Sequence, residues 1–234
     1  MDCHVGVGIL SYVPQTGDPQ PRGRYLASEV GQLAGVSGNR IGQWARRGYI
    51  RSTWSSESPR IYSFQDAAEA FVVHELEDLK VTPRKIGEAV FTLRSTLGTD
   101  WPLQSSTLFV PQGHALSSGR GKTVAHVNDS GHLEDVIRKH PVLGQVDLVE
   151  VREQLSRGGW AARDLPDLIH IEVNPDRLSG RPTIRGRRVS AAEMGQLAED
   201  NQLEVLREGF LLSDDEVRDA VRWWLKVKEY ERAS

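Results

Sequence analysis

Asn39, Arg40, Gln43 and Arg47 recur at helical spacing, with Arg46 beside them, and this mixture of amides and guanidinium groups suits the reading of a nucleic-acid groove. An arginine fork matches O6 and N7 of guanine, and an asparagine or glutamine amide matches N6 and N7 of adenine. Further basic groups grip phosphates, which fixes register and not sequence. A second concentration lies near the other end. Arg177, Arg181, Arg185, Arg187 and Arg188 fall within twelve residues that contain no acid. Such a stretch suits a phosphate or an acidic partner; alternatively it is a solvated loop whose arginine stems lie along apolar surface.

Other chemistry is poorly supplied. Gly119-Arg120-Gly121-Lys122-Thr123 resembles the end of a phosphate-binding loop, but its first glycine would fall at Leu116. Gly6-Val7-Gly8 fails as a dinucleotide fingerprint because Ser11 stands where a third glycine belongs. His114, His126, His132 and His140 share one region, yet their spacing fits no helical or finger-type zinc pattern, and Cys3 is the single cysteine. No carboxylate pair or Ser-His-Asp set stands out. The expectation is a non-enzyme with no catalytic residues, no metal site and no cofactor.

The amide-arginine face needs a helix to hold it, and the flanking residues predict one. In Leu26–Ile50, Ser28 is a candidate cap for a first helix that turns Val30, Leu33 and Ala34 inward. Gly35 breaks that helix, Val36 packs in the turn and Ser37 caps the next one. The second helix buries Ile41, Trp44 and Ala45 and ends at Gly48, leaving the polar set outside. Helix, glycine-containing turn and basic helix make the helix-turn-helix plan. Tyr49–Tyr62 then gives two short β-prone ends about a serine-rich tip, a wing on which Arg51 and Arg60 reach backbone phosphates. Ser63 with Asp66 forms a capping box before a helix with the stripe Ala68, Phe71, Val72, Leu76 and Leu79. Thr82-Pro83 starts another helix, carrying Ile86, Ala89, Val90, Leu93 and Leu97.

These residues carry a family likeness. The Leu-Ala-x-x-x-Gly-Val-Ser turn, the late aromatic Trp44, Gly48 before the wing, Arg60-x-Tyr62 and the opening Ser63-Phe64-x-Asp66 resemble the DNA-binding half of the MerR regulators. Gly42 stands where that family usually has an arginine, and the wing is serine-rich. The likeness implies a DNA contact set of Ser37, Asn39, Arg40, Gln43, Arg46, Arg47, Arg51 and Arg60.

The remaining organisation follows from punctuation. Residues 1–24 form an N-terminal segment and linker: Met1–Val13 reads as an edge strand or loosely docked terminus, and Pro14–Gly23 holds three prolines and two glycines. Residues 25–98 form the winged unit. Residues 99–166 read as a β-rich connector with a small hairpin region, built on Leu108–Val110 and Thr123–Val127 with glycine turns SSGRG and NDSG. Residues 167–234 form a C-terminal unit of strand, hairpin and three helices. Ile169–Val173 alternates as a strand, Asn174-Pro175-Asp176 turns, and Pro182–Ile184 and Arg188-Val189 read as two short strands around Arg185-Gly186. Ser190 with Glu193, and Ser213 with Glu216, are capping boxes. Met194 and Leu197 line the first helix, Leu203 and Leu206 the next, and Val217, Ala220, Val221 and Trp224 point inward from the last.

Asn174-Pro175, Gly180, Pro182, Ile184, Gly186, Arg188 and Val189 match the hallmark of a small domain found in many bacterial antitoxins, with Arg187 replacing the usual threonine. A MerR-like unit joined to that domain resembles some VapB-type antitoxins. The likeness implies a type II antitoxin that neutralises a PIN-domain ribonuclease toxin and represses its own operon through operator DNA. On this reading Arg163, Arg185, Arg187 and Arg188 are the candidate toxin contacts, because guanidinium groups are drawn to a metal site's clustered carboxylates. A homodimer is expected, as most such readers double a small interface by two-fold symmetry. The alternative is a stand-alone MerR-like transcription regulator that responds to a small-molecule effector.

Bulk properties agree with these readings. The fold class expected is α+β. A net charge of −3 and pI near 6.2 argue against a histone-like coating of nucleic acid but allow a local basic face. One cysteine fits a reducing cytoplasm, and the apolar Gly6–Leu10 stretch is too short to cross a membrane.

Overall fold

The computed structural model describes residues 20–105, 108–109, 124–127, 133–136 and 151–233. The edge-strand reading of Met1–Val13 and the turns SSGRG and NDSG lie outside them. The described chain is mostly helical with two small antiparallel sheets, an α+β fold. Among the described residues no helix is long and apolar enough to cross a membrane.

Helix α1 (Ala27–Ala34) starts earlier than expected. Its cap is Leu26, whose N–H is accepted by the Glu29 carboxylate at 2.7 Å, so Ser28 sits inside the first turn. An acid in that turn satisfies an orphan donor and complements the helix dipole, which outweighs the local preference for serine. Gly35 takes φ 74°, a left-handed stop that a Cβ disfavours. Helix α2 (Gly38–Arg46) follows, and Ser37 Oγ accepts the Arg40 N–H at 3.3 Å. Ile41 and Trp44 turn inward from α2 onto Val30, Leu33 and Ala34 of α1.

The loop after α2 folds on itself through the bridge Ser55↔Ile61 and returns alongside Tyr25 through Tyr25↔Tyr62. Helix α3 (Phe64–Asp78) opens on the reciprocal Ser63–Asp66 box. A stripe was expected, but every residue from Gln65 to Val73 is buried. Helix α3 is the central strut, packed by α1, by α4 (Pro83–Leu97), by α5 (Pro102–Ser105) and by α6 (Val151–Ser156). Helix α4 buries Ile86, Ala89, Val90 and Leu93; Leu97, expected inside, is exposed in its last turn beside the terminating Gly98.

The stretch 99–166 is mixed where a β-rich connector was expected. Strands β1 (Leu108–Phe109), β2 (Ala125–Val127) and β3 (Leu133–Asp135) form one antiparallel sheet, with Phe109 opposite Ala125 and Val127 opposite Leu133. The third strand was not foreseen. Helices α6 and α7 (Trp160–Asp164) occupy the end of the stretch, and Trp101 and Leu103 are buried near its start.

In the C-terminal unit β4 (Ile171–Val173) pairs antiparallel with β5 (Pro182–Ile184), Ile171 facing Ile184 and Val173 facing Pro182. Ile169 is exposed, so the buried alternation begins two residues late. Arg188-Val189 is not a second strand of a hairpin: β5's edge is taken by β4, and only the Thr183↔Ser190 bridge and the Ile184 N–H to Val189 oxygen bond remain on its other side. Helix α8 (Ala191–Glu199), a π-helical turn at Val205–Gly209 and the long α9 (Asp214–Ala233) complete the unit. The second of the three expected helices is therefore a single wide turn, which buries Leu206 and leaves Leu203 exposed. On α9 the buried indole is Trp223, beside Val217, Ala220 and Val227. Trp224, expected inside, lies over Gly195 with its N–H on Glu199 at 3.0 Å.

The winged unit and the C-terminal unit interlock among the described residues. Arg24 N–H donates to Ser179 oxygen at 2.8 Å, and a Cβ on Gly180 would overlap the Tyr25 hydroxyl. A Cβ on Gly159 would overlap Leu33 oxygen, and one on Gly35 would strike the Trp160 ring. Gln32 on α1 meets Glu231 on α9 at 2.8 Å, and Trp160 stacks obliquely on Tyr230 with ring centres 5.3 Å apart. Trp160 touches both apolar cores, the first built on α1–α4 and the second on β4, β5, α8 and α9.

Candidate nucleic-acid interface

The outer face of α2 is set by what its inner face buries. Ile41 and Trp44 are fully enclosed, so the 100° advance per residue drives Asn39, Gln43, Arg46 and Arg47 to the surface, where all four are exposed. No carboxylate pairs with these side chains among the described residues. Gly42, where the resemblance led one to expect arginine, leaves open space beside the Arg46 guanidinium. Gly48, at φ 74°, turns the chain sharply away after Arg47.

Three of the expected contact residues are otherwise engaged. Arg40 donates to Glu77 of α3 through Nη2 at 2.6 Å and Nε at 3.1 Å, and its guanidinium lies over Trp44, 5.8 Å from the ring centre. Glu77 also accepts the Trp44 indole N–H at 3.3 Å. Arg51 forms an ion pair with Asp100, next to the buried Trp101. Ser37 spends its oxygen on capping α2, while Arg60 stays half-exposed on the loop beside Ile61.

That loop is anchored from beneath by one carboxylate. Asp66 accepts the Thr53 N–H at 2.9 Å, the Thr53 hydroxyl at 2.8 Å, the Trp101 indole N–H at 2.8 Å and the Ser63 N–H at 2.8 Å. Burial raises its pKa, and these donors oppose the rise by stabilising the charged form. A second buried acid, Glu69, one turn along α3, accepts the Gln104 N–H at 2.8 Å. Burial pushes its pKa up to about 8, with Arg94 pulling the other way. Glu69 Oε2 and Arg94 Nε and Nη2 are buried without hydrogen-bond partners among the described residues. On the loop's outer side Trp54 donates to Gly23 oxygen at 2.7 Å, and Arg24 stacks over its ring at 4.8 Å.

The roles of Asp66 and Glu77 beyond their own helix were missed from sequence, as was the Arg24–Trp54 stack. Each joins residues 13 to 37 positions apart or, for Arg24, separate elements, so no local spacing reports them.

The second arginine concentration is largely neutralised. Arg177 pairs with Glu172 of β4, Arg181 with Glu29 of α1 at 2.7 Å, and Arg187 with Glu216 of α9 at 3.0 and 3.2 Å as well as with Phe210 oxygen. Arg163 is held by Glu75 and by Asp164 at 3.5 Å. Arg185 and Arg188 are exposed and carry no ion pair among the described residues. Of the four histidines weighed as ligands, His126 lies on β2 and the others fall outside the described residues. Among the described residues no three His, Cys, Asp or Glu side chains converge on a metal position.

The chain is similar in fold to Rv2018 from Mycobacterium tuberculosis. That crystal structure aligns with a TM-score of 0.50 at 15% identity, over 85% of this chain and 96% of that one. At such identity the likeness speaks for the fold alone. No protein-family model and no curated protein matches the chain.

Proposed function

We propose that this protein is a sequence-specific DNA-binding regulator whose residues 25–98 are a MerR-like winged helix-turn-helix, and that it serves as the antitoxin of a type II pair. The observation that carries the DNA reading is the outer face of α2: two amides and two guanidinium groups, exposed and free of carboxylates, on a helix pinned by Trp44 and capped by Ser37. Such a face offers donors to base edges and to phosphates. The loop at residues 49–62, carrying Arg60 and fixed through Thr53 to Asp66, is the wing. The antitoxin part rests on the motif likeness of residues 174–189, with a PIN-domain ribonuclease as the partner and with Arg188, which like Arg185 is exposed and has no ion pair among the described residues, as the toxin contact. Operator binding proceeds as a homodimer, for which the exposed Phe91 and Leu97 of α4 offer apolar surface.

The test uses DNA from upstream of the chain's own reading frame. Gln43→Ala and Arg47→Ala each weaken binding by roughly 1–3 kcal/mol without lowering Tm. Unchanged affinity in both variants refutes the α2 assignment. Mixing the protein with the nuclease encoded beside it tests the antitoxin reading separately; RNA cleavage undiminished at molar excess removes that reading and leaves a stand-alone regulator. Light scattering gives the oligomeric state.

A further inference from the structure

A cleft of about 750 Å³ opens between the N-terminal end of α3, the end of α6, and the β4 strand with its following turn. Its walls come from both apolar units. Arg22, Arg157 and Arg185 line it, with Phe64 and Val173 as apolar surface and Asn174 at the rim. One acid, Glu172, lines it too, but that carboxylate already accepts the Gly186 N–H at 3.0 Å and pairs with Arg177. Arg22 is matched by Asp176, with Nε at 3.0 Å. Among the described residues Arg157 donates to the backbone oxygens of Pro166 and Leu168, which hold its position without cancelling its charge, and meets no carboxylate. Arg185 has its main chain fixed by the His170 oxygen at 2.7 Å, and its side chain meets no carboxylate among the described residues. The cleft therefore holds two uncompensated guanidinium charges in a volume of the size that small ligands occupy.

We propose that this cleft binds a phosphorylated small molecule, with Arg185 and Arg157 gripping the phosphate group and Phe64 and Val173 forming the wall against its apolar part. Planar guanidinium forks are the side chains best matched to phosphate oxygens. Arg157 is the fixed partner, braced on two carbonyls, and Arg185 is the one that closes on the anion. The site is distinct from the α2 face and needs neither DNA nor a protein partner. It takes Arg185 away from the toxin-contact role that the sequence suggested.

The experiment is titration of the full chain, without DNA, with inorganic pyrophosphate at constant ionic strength set by sodium chloride. Calorimetry and guanidinium ¹⁵N shifts are the readouts. The parent protein shows saturable binding, with shifts at arginine side chains. Arg185→Gln lowers the affinity about tenfold, the loss expected for one charge-assisted contact. Arg84→Gln, on the exposed start of α4, leaves it unchanged. Absence of saturation in the parent overturns the proposal, as does equal binding by Arg185→Gln. If Arg185→Gln loses operator affinity together with pyrophosphate, the cleft holds DNA backbone phosphate and the small-molecule proposal falls, while the α2 assignment is judged on Gln43 and Arg47 alone.

Discussion

On α2 the residues Asn39, Gln43, Arg46 and Arg47 stand clear of any carboxylate among the described residues, whereas the 177–188 stretch, richer in arginine, has most of its charge spent. Arg177, Arg181 and Arg187 meet Glu172, Glu29 and Glu216, which come from β4, α1 and α9. The difference is one of position. The outer face of α2 is turned to solvent, and among the described residues only Arg40, facing back toward α3, finds an acid. The β5 turn lies in the angle between two units, so acids distant in sequence converge on it. The guanidinium groups of Arg46 and Arg47 are therefore left facing solvent, whereas most of those near β5 fasten the fold, and an acid-free run in sequence says little about acids in space.

The largest expected effect tests whether α2's face depends on its core. Trp44→Ala removes a fully enclosed indole and deprives Glu77 of a donor; a loss of about 3–5 kcal/mol in urea unfolding is expected, with DNA binding lost through the fold. A smaller loss would mean that α2 is held mainly by its caps.

Next is the buried acid Glu69. With its pKa raised to about 8, the folded chain keeps a proton that the unfolded chain gives up near pH 4.5. The folded state then binds more protons between these values, so stability from this group is full below pH 4.5, falls by up to about 1.4 kcal/mol per pH unit, and levels off above about pH 8. Glu69→Gln should flatten that slope, and the difference between variant and parent in urea unfolding from pH 5 to pH 9 isolates it from other titrating groups. A parallel pair of profiles would show that Arg94 keeps Glu69 ionised throughout.

Smaller effects separate the two arginine regions directly. Arg46→Ala should lower the slope of log affinity against log salt by about one, as for a lost phosphate contact, with Tm unchanged. Arg187→Ala should do the reverse: stability falls by about 1 kcal/mol, a modest figure because the Arg187–Glu216 pair is partly exposed, and operator affinity holds. An Arg187→Ala variant that kept its Tm and lost DNA would erase the contrast.

Local signals were legible. The Ser37 and Ser63 caps, the left-handed Gly35 and the inward Ile41 and Trp44 depend on residues within a few positions, and the structure has each where the sequence placed it. The misses came from longer range or from near-degeneracy. Trp223 and Trp224 are adjacent; Trp223 enters the core with its N–H on Gly158 oxygen, and Trp224 lies half-buried over Gly195 with its N–H on Glu199. Arg188-Val189 is β-prone locally, but the chain reaches the free edge of β5 only through the Ile184 N–H to Val189 oxygen bond and the Thr183↔Ser190 bridge, too little pairing to make a strand. On the candidate site, the exposed set of α2 followed from helical phase, but the capture of Arg40 by Glu77 and Arg51 by Asp100 needed the packing of other elements. Asp66 was read as a cap, although it also gathers Thr53 and Trp101.

The glycine contacts at 35, 159 and 180 have a consequence for modularity. Each lets one half of the chain approach the other to a distance that no side chain allows: Trp160 on Gly35, Gly159 on Leu33 oxygen, Gly180 on Tyr25. A chain severed near residue 98 or 166 would leave Tyr25 and α1 facing water on the surface now covered by the other half. The two halves are thus not interchangeable beads on a string. Recombination that grafted a foreign C-terminal unit onto residues 25–98 would have to supply its own glycines at the seam.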